Sequence, residues 1–385
     1  VVRSLNTEDL EPGKKHLLYF QGVQMATGQS WSMSVIVAKG SRPGKRITLT
    51  SGVHGDEMSS VHAVQTVMNR LNPAEMSGTV MAVLDIARLA IESMQRRWPS
   101  SGRGLELNDM NREWPGNENG ASPVSRQAGL VFNRLLRPNT DLAIDFHTGT
   151  TGLDAAAFPI GDMRIPEVKT MMLLYPVPTI WDNPVYPSVL HNAYVAAGIP
   201  CFTPEIGAAR RLDLAMIRIF VEGTLNVFKH YGLIPGAIGR TALDSKVYIG
   251  KNAVPVLSTQ GGFIELLVKM DAQVSPDQKL AIQRNAFGEV LAEYTSPIRG
   301  RIASMRTDAT SELGNVLFFI LTNDGPRCRL CPLFRVGGAT PGESRQSPAS
   351  SSHWPAAGSR QPSPQVVPPT RPLPRSWRGE KRGRT

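Results

Sequence analysis

Two imidazoles and two carboxylates stand at places in this 385-residue sequence where they could share one piece of chemistry. In Ser51-Gly52-Val53-His54-Gly55-Asp56-Glu57 a histidine and a glutamate are three residues apart, so one turn of chain brings both side chains to the same side. His147 comes directly after Asp141-Leu142-Ala143-Ile144-Asp145-Phe146, and Glu205 follows the apolar stretch from Ile199 to Thr203. Two neutral imidazoles and one carboxylate, with a fourth position open to water, form a known donor set of a catalytic zinc ion. Glu205, left without ligand duty, is then a candidate general base. Residue types alone leave alternatives open. Asp56 could replace Glu57 as ligand, a lone His-x-x-Glu is usually a solvated pair on a surface helix, and a lone histidine such as His147 is more often a hydrogen-bonded core residue.

The elements that must position these residues are readable from periodicity. Arg46 to Thr50 reads as a strand, the Ser51 to Glu57 loop follows, and Val61, Val64, Met68 and Leu71 then recur at helical spacing. Further strands are expected over Thr79 to Asp85, Asp141 to Phe146 and Ile199 to Thr203, and helices over Pro123 to Leu136 and Asp213 to Tyr231. Alternating strands and helices imply an α/β domain with a largely parallel sheet covered on both faces. All four chemical residues fall at carboxyl ends of predicted strands, where open α/β sheets hold their ligands.

Ahead of this region, residues 16 to 38 read as a hairpin turning at Thr27-Gly28. After Gly232-Leu233-Ile234-Pro235-Gly236 the style shifts to short strands with Gly, Pro and Asp turns: Lys246 to Ile249, Gly262 to Val268, Lys279 to Gln283, Gly288 to Tyr294 and Val316 to Leu321. That pattern suggests a small β-barrel-like domain. The expected organisation is a catalytic α/β domain over 1–235, a barrel-like domain over 236–324 and a Pro/Arg/Ser-rich low-complexity tail over 325–385.

Hydrophobic residues make up 41% of the chain and charged residues 19%, a globular composition. The net charge of +10 is concentrated in the tail, where eleven Lys/Arg face two Asp/Glu, so the remainder is almost neutral. A specific nucleic-acid surface is therefore not expected. The tail itself has eleven prolines and no periodicity, and is expected to be disordered. No apolar run approaches the ~18 residues of a membrane-spanning helix. Cys201, Cys328 and Cys331 are too few for a disulfide framework, and Cys328-x-x-Cys331 has no second Cys/His pair near it. The start at Val1 rather than Met suggests trimming; the compartment is left open, with the cytoplasm favoured.

Four segments together resemble the succinylglutamate desuccinylase/aspartoacylase family of the zinc carboxypeptidase-like superfamily: Gly-Val-His54-Gly-Asp-Glu57, Asp109-Met110-Asn111-Arg112-Glu113-Trp114-Pro115-Gly116, Asp145-Phe146-His147-Thr148-Gly149 and Thr203-Pro204-Glu205-Ile206-Gly207. They occur in family order across about residues 45 to 235. The resemblance implies a mixed sheet flanked by helices, one zinc per chain held by His54, Glu57 and His147, and Glu205 activating water. It further implies a substrate carboxylate bound by Asn111 and Arg112, which suits a bidentate guanidinium with a neighbouring amide. The carbonyl-polarising arginine of the family falls to Arg103, one position off the aspartoacylase spacing, with Arg96 and Arg97 further back. As a structural alternative, Arg112 could pair with Asp109 or Glu113.

The activity implied is hydrolysis of the amide of an N-acylated amino acid or similar small carboxylate. The rivals are a carboxypeptidase on peptide C-termini and an esterase on a small carboxylate ester. A membrane partner is not expected, and homo-oligomerisation is left open. The C-terminal domain also resembles the family's barrel, related to biotinyl and lipoyl carriers. No lysine occurs between Gln283 and Arg301, where a carrier lysine would lie, so the barrel is expected to shape the active-site mouth instead.

Overall fold

A computed structural model describes residues 1–100, 106–184 and 187–324. Its centre is a nine-stranded mixed sheet. From edge to edge the strands are Lys14–Gln24, Ser30–Lys39, Ser77–Val83, Arg42–Thr50, Leu142–Asp145, Cys201–Glu205, Phe158–Gly161, Thr179–Asp182 and Tyr248–Gly250. Five of the eight pairings are parallel. The other three are antiparallel, two of them made by the N-terminal hairpin and one by Phe158–Gly161 against Cys201–Glu205. The sheet is thus less parallel than the strand–helix alternation suggests. A hairpin supplies one edge, and parallel neighbours need a crossover that a short connection cannot make.

Strand side chains alternate between two cores, as the two-residue period requires. Ile47, Leu49, Val80, Ala82, Leu142 and Ile144 pack to one side, under helices Met58–Asn69, Pro166–Leu173 and Leu214–His230. Met81, Val83 and Ala143 pack to the other, with Val124, Ala128 and Val131 of the helix Pro123–Val131 and Leu190 and Tyr194 of the helix Leu190–Ala196. Among the described residues no helix is long and apolar enough to cross a membrane.

Beyond the main sheet, Asn252–Leu257, Val316–Thr322, Gly300–Arg306 and Gln273–Val274 form one sheet, and Val290–Thr295, Lys279–Arg284, Gly262–Leu266 and Thr310–Ser311 form another. Leu280, Tyr294, Ile302 and Phe318 belong to one core shared by both sheets. Two features differ from the sequence expectation. Tyr248–Gly250 pairs parallel with Thr179–Asp182 and completes the main sheet rather than joining the later strands; at three residues it carries no pattern that could assign it. Leu153–Ala155, a few residues after His147, pairs antiparallel with Gly300–Arg306. The loop that follows one candidate ligand is therefore tied to a C-terminal strand. The tail and its Cys328-x-x-Cys331 pair lie outside the described residues.

Candidate active site

The loop after Arg42–Thr50 is shaped by glycines before it delivers any chemistry. Gly52 sits at φ +67°, and a Cβ on Gly55 would lie 2.0 Å from the carbonyl carbon of Ala90. Only glycine allows that approach. Glu57 then stands as the N-cap of Met58–Asn69 without capping it, so its side chain is free to face the histidines. His147 lies just past Leu142–Asp145. It is held beside Glu205 by the bonds His147 N–H to Pro204 O (3.0 Å) and Ile206 N–H to His147 O (3.0 Å). Two neighbouring parallel strands thus present a candidate ligand and a candidate base side by side.

His54, Glu57 and His147 converge, with their ligand atoms all within 4.8 Å of one another. All three are almost fully buried. His54 Nδ1 lies 2.6 Å from Glu57 Oε1, His147 Nδ1 lies 2.8 Å from Glu57 Oε2, and the two Nδ1 atoms are 3.1 Å apart. Behind each imidazole stands a carboxylate: His54 Nε2 is 3.0 Å from Asp109 Oδ1, and His147 Nε2 is 3.0 Å from Asp145 Oδ2. A carboxylate on the remote nitrogen fixes the tautomer with the proton there and leaves the Nδ1 lone pair facing inward. Two such lone pairs and a carboxylate facing a common centre are a donor set for a cation. The His54/Glu57/His147 group could therefore hold a metal ion, and Asp56 is not part of it, since its Oδ2 accepts from Thr151 instead.

Electrostatics couples these groups closely. Burial alone would raise the Glu57 carboxyl, yet His54 and His147 hold it far below the usual range. Burial works against a charged His147, but Asp145 and Glu57 lift its pKa well above that of ordinary histidine. Asp109 is likewise buried yet held low, chiefly by His54 and then by Arg96 and Arg112. Glu205 behaves oppositely: burial pushes it up to about 8, with Glu57 adding and His147 and Arg96 opposing. Two carboxyls in one cavity are driven apart, a pattern typical of sites that divide ligand and acid–base duties.

Of the residues singled out from sequence, His54, Glu57, His147, Glu205, Asn111 and Arg112 all line one cavity of about 290 Å³. Asn111 Oδ1 accepts from Leu190 N–H at 2.9 Å, which directs the amide nitrogen toward His147 Nε2 at 3.4 Å. Arg112 donates to the Asn111 carbonyl at 2.8 Å and is exposed. No salt bridge among the described residues joins it to Asp109 or Glu113, although its charge helps to hold the Asp109 carboxyl low. Arg103 lies outside the described residues. Arg96 does reach the site, 2.9 Å from Glu57 and 3.4 Å from Asp109.

Sequence reasoning passed over several participants. Asp145 was legible in principle, because two positions along a strand returns to the same face as His147. His191, buried with Nδ1 3.1 Å from Thr203 Oγ1, had no motif around it. Burial pushes its pKa down to about 4.

The fold and this site define a class: mixed α/β proteins with a buried His/Glu/His cluster at the carboxyl edge of the sheet. Residues 43–231 match the profile described as Succinylglutamate desuccinylase/Aspartoacylase catalytic domain. By this match residues 43–231 are a domain of the succinylglutamate desuccinylase/aspartoacylase catalytic type. A curated relative is N-alpha-acetyl-L-2,4-diaminobutyric acid deacetylase of Halomonas elongata, 24% identical over 296 residues, which are 74% of this chain and 84% of the relative. Among solved structures, a succinylglutamate desuccinylase/aspartoacylase from Rhodobacter sphaeroides superposes with a TM-score of 0.72 at 19% identity, covering 83% of this chain and 99% of that one. The product-bound ectoine utilization protein EutE (DoeB) from Ruegeria pomeroyi gives 0.71 at 20% identity, covering 80% and 95%. These two share the fold.

Proposed function

We propose that this protein is a zinc-dependent hydrolase that cleaves the amide bond of an N-acylated amino acid or a related small carboxylate. The observation that carries the reading is the convergence of two inward-facing imidazole nitrogens and the Glu57 carboxylate in a cavity that also holds Glu205. His54, Glu57 and His147 would hold one zinc ion per chain. When bound there, zinc supplies Lewis acidity and lowers the pKa of a water toward ~7.

The chain's own residues supply the rest. Glu205 takes the proton of the attacking water and delivers it to the leaving nitrogen. A nearby dication would draw its raised pKa back toward the working range, so that it can accept as well as donate. Arg112, at the cavity wall with no salt bridge to Asp109 or Glu113 among the described residues, binds the substrate carboxylate, and the Asn111 amide adds a donor. Arg96 positions Glu57 and Asp109, while Arg103 keeps the carbonyl-polarising role by its spacing alone. The curated relative's name, a deacetylase of an N-acetylated amino acid, favours an amide over a peptide or ester.

Metal analysis of the purified protein, together with a screen of N-acyl amino acids against peptides and carboxylate esters, tests the reading. About one zinc per chain and release of acid from N-acyl amino acids are expected. Preferential release of C-terminal residues from peptides would replace it with the carboxypeptidase alternative.

A further inference from the structure

The cavity has two unlike linings. Beside the charged cluster it is walled by Leu153, Phe158, Ile160, Trp181, Val189 and Phe319, with Phe158 the cross-strand neighbour of Glu205. Phe158 and Ile160 come from the antiparallel strand Phe158–Gly161, and Trp181 comes from its neighbour, with the Phe158 and Trp181 ring centroids 6.3 Å apart. Phe319 is brought in by the C-terminal strand Val316–Thr322. At about 290 Å³ the space suits a small molecule rather than a length of peptide.

The charges lining this cavity are few, and nearly all are committed. Its described acids are Glu57 and Glu205, one in the ligand cluster and one placed for proton transfer. Of its two arginines, Arg96 is paired with Glu57 and Asp109, which leaves Arg112 to meet a substrate. His191, on the same wall, is buried at 2% exposure with its pKa near 4, so it offers no positive charge at neutral pH. Among the described residues one substrate carboxylate can be matched here. With Arg103 assigned to the scissile carbonyl, a second carboxylate would find no cation among them and an ammonium no spare carboxylate; burying either uncompensated is unfavourable. An apolar substituent, by contrast, gains by leaving water against this wall.

We infer, resting on the deacylase reading above, that the substrate is a monocarboxylate N-acyl amino acid carrying a bulky apolar or aromatic group that packs against Phe158, Trp181 and Phe319. The group is either the acyl part or the amino-acid side chain. This separates the chain from the curated relative, whose name specifies a diaminobutyrate.

The test uses the full-length zinc-loaded protein with N-acetylglycine, N-acetylphenylalanine, N-benzoylglycine, N-acetylaspartate and Nα-acetyl-2,4-diaminobutyrate. At least one of the two aromatic compounds should exceed N-acetylglycine in kcat/KM by about tenfold or more, and exceed both charged compounds further. Which aromatic compound leads tells acyl group from side chain. Phe319→Ala and Trp181→Ala should each lower the aromatic-to-glycine ratio by about tenfold. Because that ratio is read within each variant, a loss of folded protein cancels. Preference for either charged compound, or ratios unmoved in both variants, overturns the inference. If no compound is turned over, the hydrolase reading fails, and calorimetric binding of the same compounds to the zinc-loaded protein still decides the wall: tighter binding of the aromatic compounds sustains it, and equal or tighter binding of the charged ones overturns it.

Discussion

The charged end of the cavity is assembled from residues clustered in the chain: His54 with Glu57, Asp109 with Asn111 and Arg112, Asp145 with His147. The apolar end gathers single side chains from Leu153 to Phe319, on strands of two different sheets. At the first end the two imidazoles and their carboxylates are fixed by partners of opposite character, as in the Asp109–His54–Glu57–His147–Asp145 chain of contacts. At the second, shape does the positioning and no single contact dominates. Substitution at the charged end should therefore cost activity on every substrate, and substitution at the apolar end should change which substrate is used.

The largest effect is expected for His147→Ala. A three-ligand site cannot spare one ligand, so the purified variant should lose its zinc together with measurable turnover. Metal analysis checks this, and full occupancy in the variant would remove His147 from the ligand set. Next comes Glu205→Gln, which keeps size and hydrogen-bonding capacity but cannot accept a proton. General base catalysis is worth ~10² to 10⁴ in rate, and kcat should fall by about that factor while zinc content and substrate Kd barely change. If Glu205→Gln lost zinc and Glu57→Gln retained it, the two carboxylates would exchange roles.

Smaller again is Arg112→Ala. Charge-assisted hydrogen bonds are each worth about 1.5–3 kcal/mol, so KM should rise roughly tenfold to a hundredfold with kcat changed less. An analogue lacking the carboxylate should lose little between wild type and variant. Equal losses on both would make Arg112 a structural residue and blur the contrast between the two ends.

The same contrast explains what could be read in the sequence. The residues at the charged end stand at strand ends in short motifs, and a motif survives translation into structure because a loop of a few residues fixes its own geometry. The Asp56 alternative needed the fold to decide it, since only there does Thr151 claim that carboxylate. Phe158-Pro159-Ile160-Gly161 and Thr179–Asp182 were not legible as strands, being four residues long and, in the first case, interrupted by proline. Tyr248–Gly250 was legible as a strand but not as part of the main sheet, because partner choice depends on long-range pairing. Arg96 gains its place through Glu57 and Asp109, which lie 39 and 13 positions away in the sequence, a relation no local spacing encodes.

His191 lines the same cavity, and it carries the smallest effect expected on turnover. Its ring is buried, with Nδ1 on Thr203, and burial pushes its pKa down to about 4 while Asp145 and Asp162 pull it upward and His147 pushes it further down. In the unfolded chain it titrates near 6.5. Between about pH 6.5 and 4 the unfolded state therefore binds a proton that the folded state refuses, and stability falls as the pH falls through that window. His191→Gln keeps a hydrogen-bonding partner for Thr203 but removes the titration. At about 1.4 kcal/mol per pH unit, wild type should lose on the order of 3 kcal/mol relative to the variant between pH 7 and pH 4, read as a difference in unfolding free energy by urea titration. At pH 7 turnover should change by only a few-fold, because a neutral imidazole gives way to a neutral amide. Stability curves that stayed parallel across the window would mean that His191 takes up its proton in the folded protein as readily as in the unfolded chain, so that the ring could add positive charge beside Arg112 only at mildly acid pH.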